Sequence, residues 1–153
     1  MLPRLHPARI VSTGFYVGHL PGPAGTWGSI AALVPAWFIH QAGGALGLAL
    51  AAVAVTALGI WASAIYAQAL GMKDPGSVVI DEFAGQWFTL VLVPNDPWLY
   101  LIACAVFRGL DIMKPWPANW ADKNLPGGFG IVIDDVIAGI MGLVLMGGLI
   151  ELW

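Results

Sequence analysis

The stretch 107–139, FRGLDIMKPWPANWADKNLPGGFGIVIDDVIAG, decides how the rest of the chain is read. It opens on the end of an apolar helix, which Pro115 and Pro117 terminate. Residues 118–133 read as a polar, Gly-containing loop, and a new apolar helix begins near Asp134 or slightly earlier. Within the stretch, Arg108 and Lys114 flank Asp111, and Asp134 and Asp135 stand side by side. The surrounding sequence is mostly apolar. Charge is costly in such a setting, so charge gathered this densely points to a task. The task suggested is holding a divalent cation and a phosphate group together.

Composition sets the frame. Of 153 residues, 59% are hydrophobic and only 10% charged. Mean hydropathy is +0.81. Soluble domains are about 25% charged, so this is the composition of an integral membrane protein of one domain, residues 1–153. With a net charge of −3, nothing suggests a nucleic-acid partner. Cys104 is the only cysteine and lies in an apolar run, so it reads as a packed thiol. The N-terminal residues lack the apolar core of a signal peptide.

Working outward, the predicted architecture is all-α: a compact multi-helix membrane protein with short helices and a polar site at their cytoplasmic ends. Residues 1–13, with Arg4, His6 and Arg9, read as a basic segment lying on the surface. The Gly and Pro content of residues 14–29 argues against a regular helix there, with Thr26 or Ser29 as the cap of the next one. A short helix is expected over residues 30–40, then a turn at Gly43 and Gly44. The Ala- and Leu-rich run 45–70 is the clearest transmembrane helix. Helices over 78–93 and 98–113 follow, separated by the turn PNDP at 94–97. All six Lys and Arg fall in segments on one side of this drawing. The positive-inside rule then places those segments in the cytoplasm.

Asp81, Glu82, Asp111, Asp134 and Asp135 all fall near the cytoplasmic ends of these helices. Five carboxylates at one depth repel without a counter-ion. Mg²⁺, which takes oxygen ligands from carboxylates, phosphate and water, is the natural candidate. Negative charge at a helix N-terminus accounts for Asp81 or Asp134 singly. It does not account for Asp111, which lies near a helix C-terminus. Neighbouring residues on a helix point about 100° apart, so Asp81 and Glu82 cannot face one point equally. The same holds for Asp134 and Asp135. Arg108, Asp111 and Lys114 follow at i, i+3 and i+6, either as a salt-bridged helix end or as phosphate ligands around a metal-binding acid. The loop GHLPGPAGTWGS, 18–29, offers backbone N–H groups and the hydroxyls of Thr26 and Ser29 as a candidate anion site. It is not a Walker A sequence. His19 is a candidate acid or base; His6 and His40 lack acidic context.

These three blocks resemble the phosphatidylglycerophosphatase A family of bacterial membrane lipid phosphatases. The resemblance covers residues 14–142. It rests on GHLPGPAGTWGS, on KDPGSVVIDEFAGQW, and on FRGLDIMKPWP followed by GGFGIVIDDVIAG. One departure is that Ala24 stands where the family usually has proline before Gly25 and Thr26. The resemblance implies Mg²⁺-dependent removal of the terminal phosphate of phosphatidylglycerophosphate by a multi-pass enzyme of the bacterial inner membrane. It implies Asp81, Asp111, Asp134, Asp135 and Lys114 as catalytic residues and Asp81, Glu82, Asp111, Asp134 and Asp135 as the metal set. Arg108, Gly25, Thr26, Ser29 and His19 are then the substrate-binding set. Direct attack by water is favoured over a phosphoenzyme, because the DxDx(T/V) arrangement of aspartyl-phosphate phosphatases is missing. The alternatives are a phosphatase for another lipid phosphate and, less favoured, a small cation transporter. In a transporter, acids spread in depth rather than collecting at one face.

Overall fold

The computed structural model describes residues 1–152. Six helices account for most of them: α1 (Pro7–Ser12), α2 (Ala24–Leu70), α3 (Ile80–Leu90), α4 (Pro97–Met113), α5 (Ala118–Asn124) and α6 (Gly127–Leu152), with a single 3₁₀ turn at Val17–His19. No strand occurs among the described residues. The all-α expectation holds.

Helix α2 is two helices joined at a sharp break. Gly44 adopts φ 65°, ψ −160°, a conformation open to glycine and costly for other residues. The chain folds back there, and Val34 and Pro35 of the first arm line one groove with Val55 and Leu58 of the second. Fully buried Ala32, Ala36 and Ala52 help form the core at this hairpin. Small residues of this kind let helices pack closely without a hydrophobic driving force. The outer faces carry large apolar side chains in the open: Val34 is 61% exposed, Phe38 63% and Leu46 71%. Soluble monomers rarely expose so continuous an apolar surface. Helices α2 and α6 are long and apolar enough to cross a membrane, and only 33% of the most apolar α2 window is buried. A core helix of a soluble protein would be mostly covered, so the open apolar face of α2 points to membrane association.

Helix α3 is the axle. It is buried on nearly all sides and packs against α2 and α6. Its crossing with α6 is made by two glycines. A Cβ on Gly139 would come within 2.2 Å of the Gly85 carbonyl oxygen, and one on Gly85 within 2.5 Å of the Asp135 carbonyl oxygen. Thr89 Oγ1 donates to the Gly139 carbonyl at 3.1 Å, locking the crossing. Asp81 lies one turn before Gly85, and Asp135 one turn before Gly139. The close backbone approach therefore brings the two acids together.

The two ends of the bundle differ. The N-terminal segment joins the α2–α3 loop, with the Val79 N–H donating to the Ser12 carbonyl at 2.8 Å. Lys73, Lys123, Arg108 and Lys114 gather at that end. At the other end, His40 meets Asn95 at 2.7 Å, and Asn95 donates to the Trp37 carbonyl at 3.0 Å. Asp96 caps α4 by accepting from the N–H groups of Trp98 and Leu99, with Pro97 at the first helical position.

Three expectations need correction. The helix expected over 30–40 starts at Ala24, so its arm, residues 24–43, approaches the roughly 20 residues of a full span. Neither Thr26 nor Ser29 caps it. Both lie inside the first turns, and Pro23, with its fixed φ, stands at the cap position. The loop expected over 118–133 contains α5 and the first two turns of α6, which begins at Gly127 rather than near Asp134. Gly127 and Gly128 fell in that expected loop, but Gly128 is where α6 lies against the Ile60 carbonyl of α2, a place with no room for a side chain.

Candidate active site

At the basic end a cavity of about 310 Å³ opens between α3, α4 and α6. Its walls include all five predicted acids and Lys114. The five carboxylates are buried, none more than 8% exposed. Asp81 and Glu82 come from the first turn of α3, Asp111 from the last turn of α4, and Asp134 and Asp135 from the third turn of α6.

The structure divides these acids into two groups. Asp81, Glu82 and Asp135 each offer an oxygen, and these oxygens lie within 4.8 Å of one another. Asp111 and Asp134 are instead held by cations. Arg108 Nη1 donates to Asp111 Oδ2 and approaches Glu82 Oε1 at 3.9 Å. Lys114 Nζ donates to Asp134 Oδ2 at 2.6 Å and lies 3.5 Å from Asp111 and 3.7 Å from Asp135. Asp81 and Glu82 do converge, contrary to the expectation from helical geometry. The Glu82 N–H donates to Asp81 Oδ1 at 3.0 Å, turning the shorter side chain back over the helix start while the longer one reaches round.

Five buried carboxylates thus face two cations, and negative charge remains uncompensated. Glu82 Oε2 and Asp135 Oδ2 are buried without a hydrogen-bond partner. Orphaned oxygens of this kind are expensive unless something binds them. A compact, all-oxygen, anionic donor set fits a hard divalent cation such as Mg²⁺ and does not fit a soft metal.

Lys114 is the C-cap of α4 and sits at φ 46°, ψ 63°, the left-handed region that non-glycine residues seldom occupy. That turn points its side chain into the acids. Burial alone would lower its pKa, but Asp135, Asp134 and Asp111 outweigh burial and raise it well above the ordinary lysine range. It is thus held as a positive charge among these acids.

The first-block residues behave differently from one another. Gly25 lines the cavity, and a Cβ there would meet Glu82 Oε1 at 2.7 Å and Arg108 Nη1 at 3.0 Å. Ser29 is buried but donates to the Gly25 carbonyl at 3.0 Å, so its hydroxyl is already used within the helix. Thr26 is half-buried and outside the cavity wall. His19 is exposed on the 3₁₀ turn and stacks against Tyr16, 5.6 Å between rings. The site thus receives Gly25 but not Thr26, Ser29 or His19. The hydroxyls miss it because this segment is helical from Ala24.

Two acids that sequence reasoning passed over, Asp74 and Asp122, also line the cavity. Asp74 belongs to the KDPGS turn, and partial desolvation together with the Asp122 charge raises its pKa. Gln86 was missed as well. It follows Glu82 by one helical turn, is fully buried, and has neither amide atom paired. The i, i+4 spacing from Glu82 was the available signal.

The family model described as phosphatidylglycerophosphatase A matches residues 10–150. A phosphatidylglycerophosphatase A of Escherichia coli strain K12 is 37% identical over 137 residues, covering 89% of this chain and 79% of the relative. One from Haemophilus influenzae is 33% identical over 143 residues, covering 93% and 88%. A Bacteroides thetaiotaomicron relative, provisionally named a phosphatidylinositol-3-phosphatase, is 35% identical over 144 residues, covering 90% and 89%. No solved structure matches the chain.

Proposed function

This chain belongs to the phosphatidylglycerophosphatase A family of phosphatases, and from that premise we propose that it removes the terminal phosphate of phosphatidylglycerophosphate in a Mg²⁺-dependent reaction, at the cytoplasmic face of a bacterial inner membrane. The observation that carries the reading is the convergence of Asp81, Glu82 and Asp135 beside Lys114 and Arg108, at one end of a lipid-facing bundle. A lipid phosphate has its tails in the bilayer and its charge at the surface, and this site lies where the two meet.

Asp81, Glu82 and Asp135 would hold the metal. When bound, the ion supplies charge neutralisation of the phosphate and a lowered pKa for water at the site. The chain's own residues do the rest. Lys114 and Arg108 exchange part of their hold on Asp134 and Asp111 for the phosphate oxygens and stabilise charge as the phosphoryl group transfers. Water attacks phosphorus, the phosphorus–oxygen bond to glycerol breaks, and the leaving oxygen takes up the proton that the attacking water gives up. Asp111 and Asp134 are the candidates for receiving the proton of the attacking water, since neither belongs to the convergent trio. Gly25 keeps the start of α2 close enough to limit bulk water at the acids.

The test is phosphate release by the purified protein from phosphatidylglycerophosphate, phosphatidic acid and phosphatidylinositol 3-phosphate, each with Mg²⁺ or excess EDTA. Preference for phosphatidylglycerophosphate is expected. Preference for the inositol lipid would favour the second reading, which the Bacteroides relative motivates. Orientation has its own check. A cysteine replacing Arg4 should resist membrane-impermeant labelling of intact cells, and ready labelling there would reverse the topology.

A further inference from the structure

A second cavity of about 320 Å³ adjoins the acidic one, between the α2–α3 loop and the start of α6. The two share Asp74, Asp122 and Ile131 as a common wall. Lys73 and Lys123 stand on its other sides. The cations of the site already described are engaged: Arg108 and Lys114 make every Lys or Arg ion pair among the described residues. Lys73 and Lys123 make none, although Asp74 and Asp122 line the same cavity. Gly127 opens the 26-residue α6 on this wall, adding the positive end of a helix dipole to the lysines. The cavity therefore presents donors and positive charge for an anion, with two carboxylates beside them that can accept from hydroxyls.

We propose that this cavity is the headgroup subsite of the lipid, with Lys73 and Lys123 binding the bridging phosphodiester and Asp74 and Asp122 accepting from the hydroxyl of the intervening glycerol. The proposal rests on the phosphatase reading above. In phosphatidylglycerophosphate the reacting monoester and the phosphodiester are separated by one glycerol unit. A monoester among the Asp81, Glu82 and Asp135 oxygens places the diester across the shared wall. Phosphatidic acid, whose only phosphate is the reacting one, has no second anion for the lysines. The cavity then selects among lipids by what lies between the tails and the reacting phosphate, a role distinct from chemistry at the acids.

Equilibrium binding of two probes separates the subsites. Short-chain phosphatidylglycerol carries the diester and the glycerol but no monoester, and inorganic phosphate carries only the reacting group's chemistry. The Lys73→Ala, Lys123→Ala double variant should bind short-chain phosphatidylglycerol at least about tenfold more weakly, the scale of losing charge-assisted contacts. Its affinity for inorganic phosphate should be unchanged, and its KM for phosphatidylglycerophosphate should rise while kcat holds. Arg4→Ala removes a cation at the same end but outside the cavity and should bind both probes like the parent. Equal weakening for both probes, no weakening, or the same loss in Arg4→Ala would overturn the proposal, the last by showing only general attraction to anionic lipid. Failure of the parent protein to release phosphate from any lipid would instead sink the phosphatase reading, and the binding comparison would still stand or fall on its own.

Discussion

The two ends of the bundle use polar residues in opposite ways. At the far end, His40 meets Asn95, Asn95 donates to a helix carbonyl, and Asp96 closes the first turn of α4. Those groups are partnered, and their effect is to fix where helices turn. At the basic end, carboxylates outnumber cations, two carboxylate oxygens are orphaned, and Lys114 holds a left-handed backbone. That end bears costs that the fold itself does not require. Buried carboxylate oxygens left without a partner mark where a ligand is expected, because an unpaired charge costs far more than an unpaired hydroxyl.

The largest effect that would break this contrast is at the convergent acids. Asp81→Asn and Asp135→Asn should each lower turnover at least about 100-fold, because a ligand charge is lost while shape is kept. Asp81 has no cation within ion-pair distance, so Asp81→Asn should raise the melting temperature of the metal-free protein as repulsion falls. Asp134→Asn should lower it, because Lys114 loses its shortest partner. Detergent melting curves of the purified variants decide this. Equal shifts in the two would mean that the cluster is a structural salt-bridge network.

The crossing that creates the site gives the next effect. Gly139→Ala forces a Cβ against the Gly85 backbone, and overpacking of this kind costs about 1–3 kcal/mol. Stability and turnover should fall together, unlike in Asp81→Asn. A variant that keeps both would show that α3 and α6 do not need this approach. At the far end the effect is smaller and confined to stability. Asp96→Ala removes a cap worth about 1 kcal/mol and should leave kcat and KM unchanged. A large loss of activity there would erase the distinction between the ends.

Much of this was legible in the sequence, for reasons particular residues make plain. Pro115 and Pro117 end α4 because an X–Pro step disfavours helix in the residue before it, and Gly44 breaks α2 because it can take the left-handed backbone. The acids stood out because charge is rare in so apolar a chain. What was not legible depended on three-dimensional approach. Gly127 and Gly128 read as part of a loop, yet they begin α6, and at Gly128 close packing against α2 outweighs poor helix propensity. Thr26 and Ser29 read as anion ligands, yet the helix begins before them, and Ser29 spends its hydroxyl on the Gly25 carbonyl. The division of five acids into a convergent trio and a cation-held pair follows from the Gly85–Gly139 crossing, which spacing along one helix cannot reveal.

The central claim is that the convergent carboxylates of Asp81, Glu82 and Asp135, two of them with an orphaned oxygen, are a divalent-cation site required for lipid phosphate hydrolysis. Its most direct test is a Mg²⁺ titration of metal-stripped protein, following melting temperature and phosphate release from phosphatidylglycerophosphate together. The account predicts that both rise over the same Mg²⁺ range in the parent protein and that neither responds in Asp135→Asn. Full turnover in metal-stripped buffer with excess EDTA would contradict it.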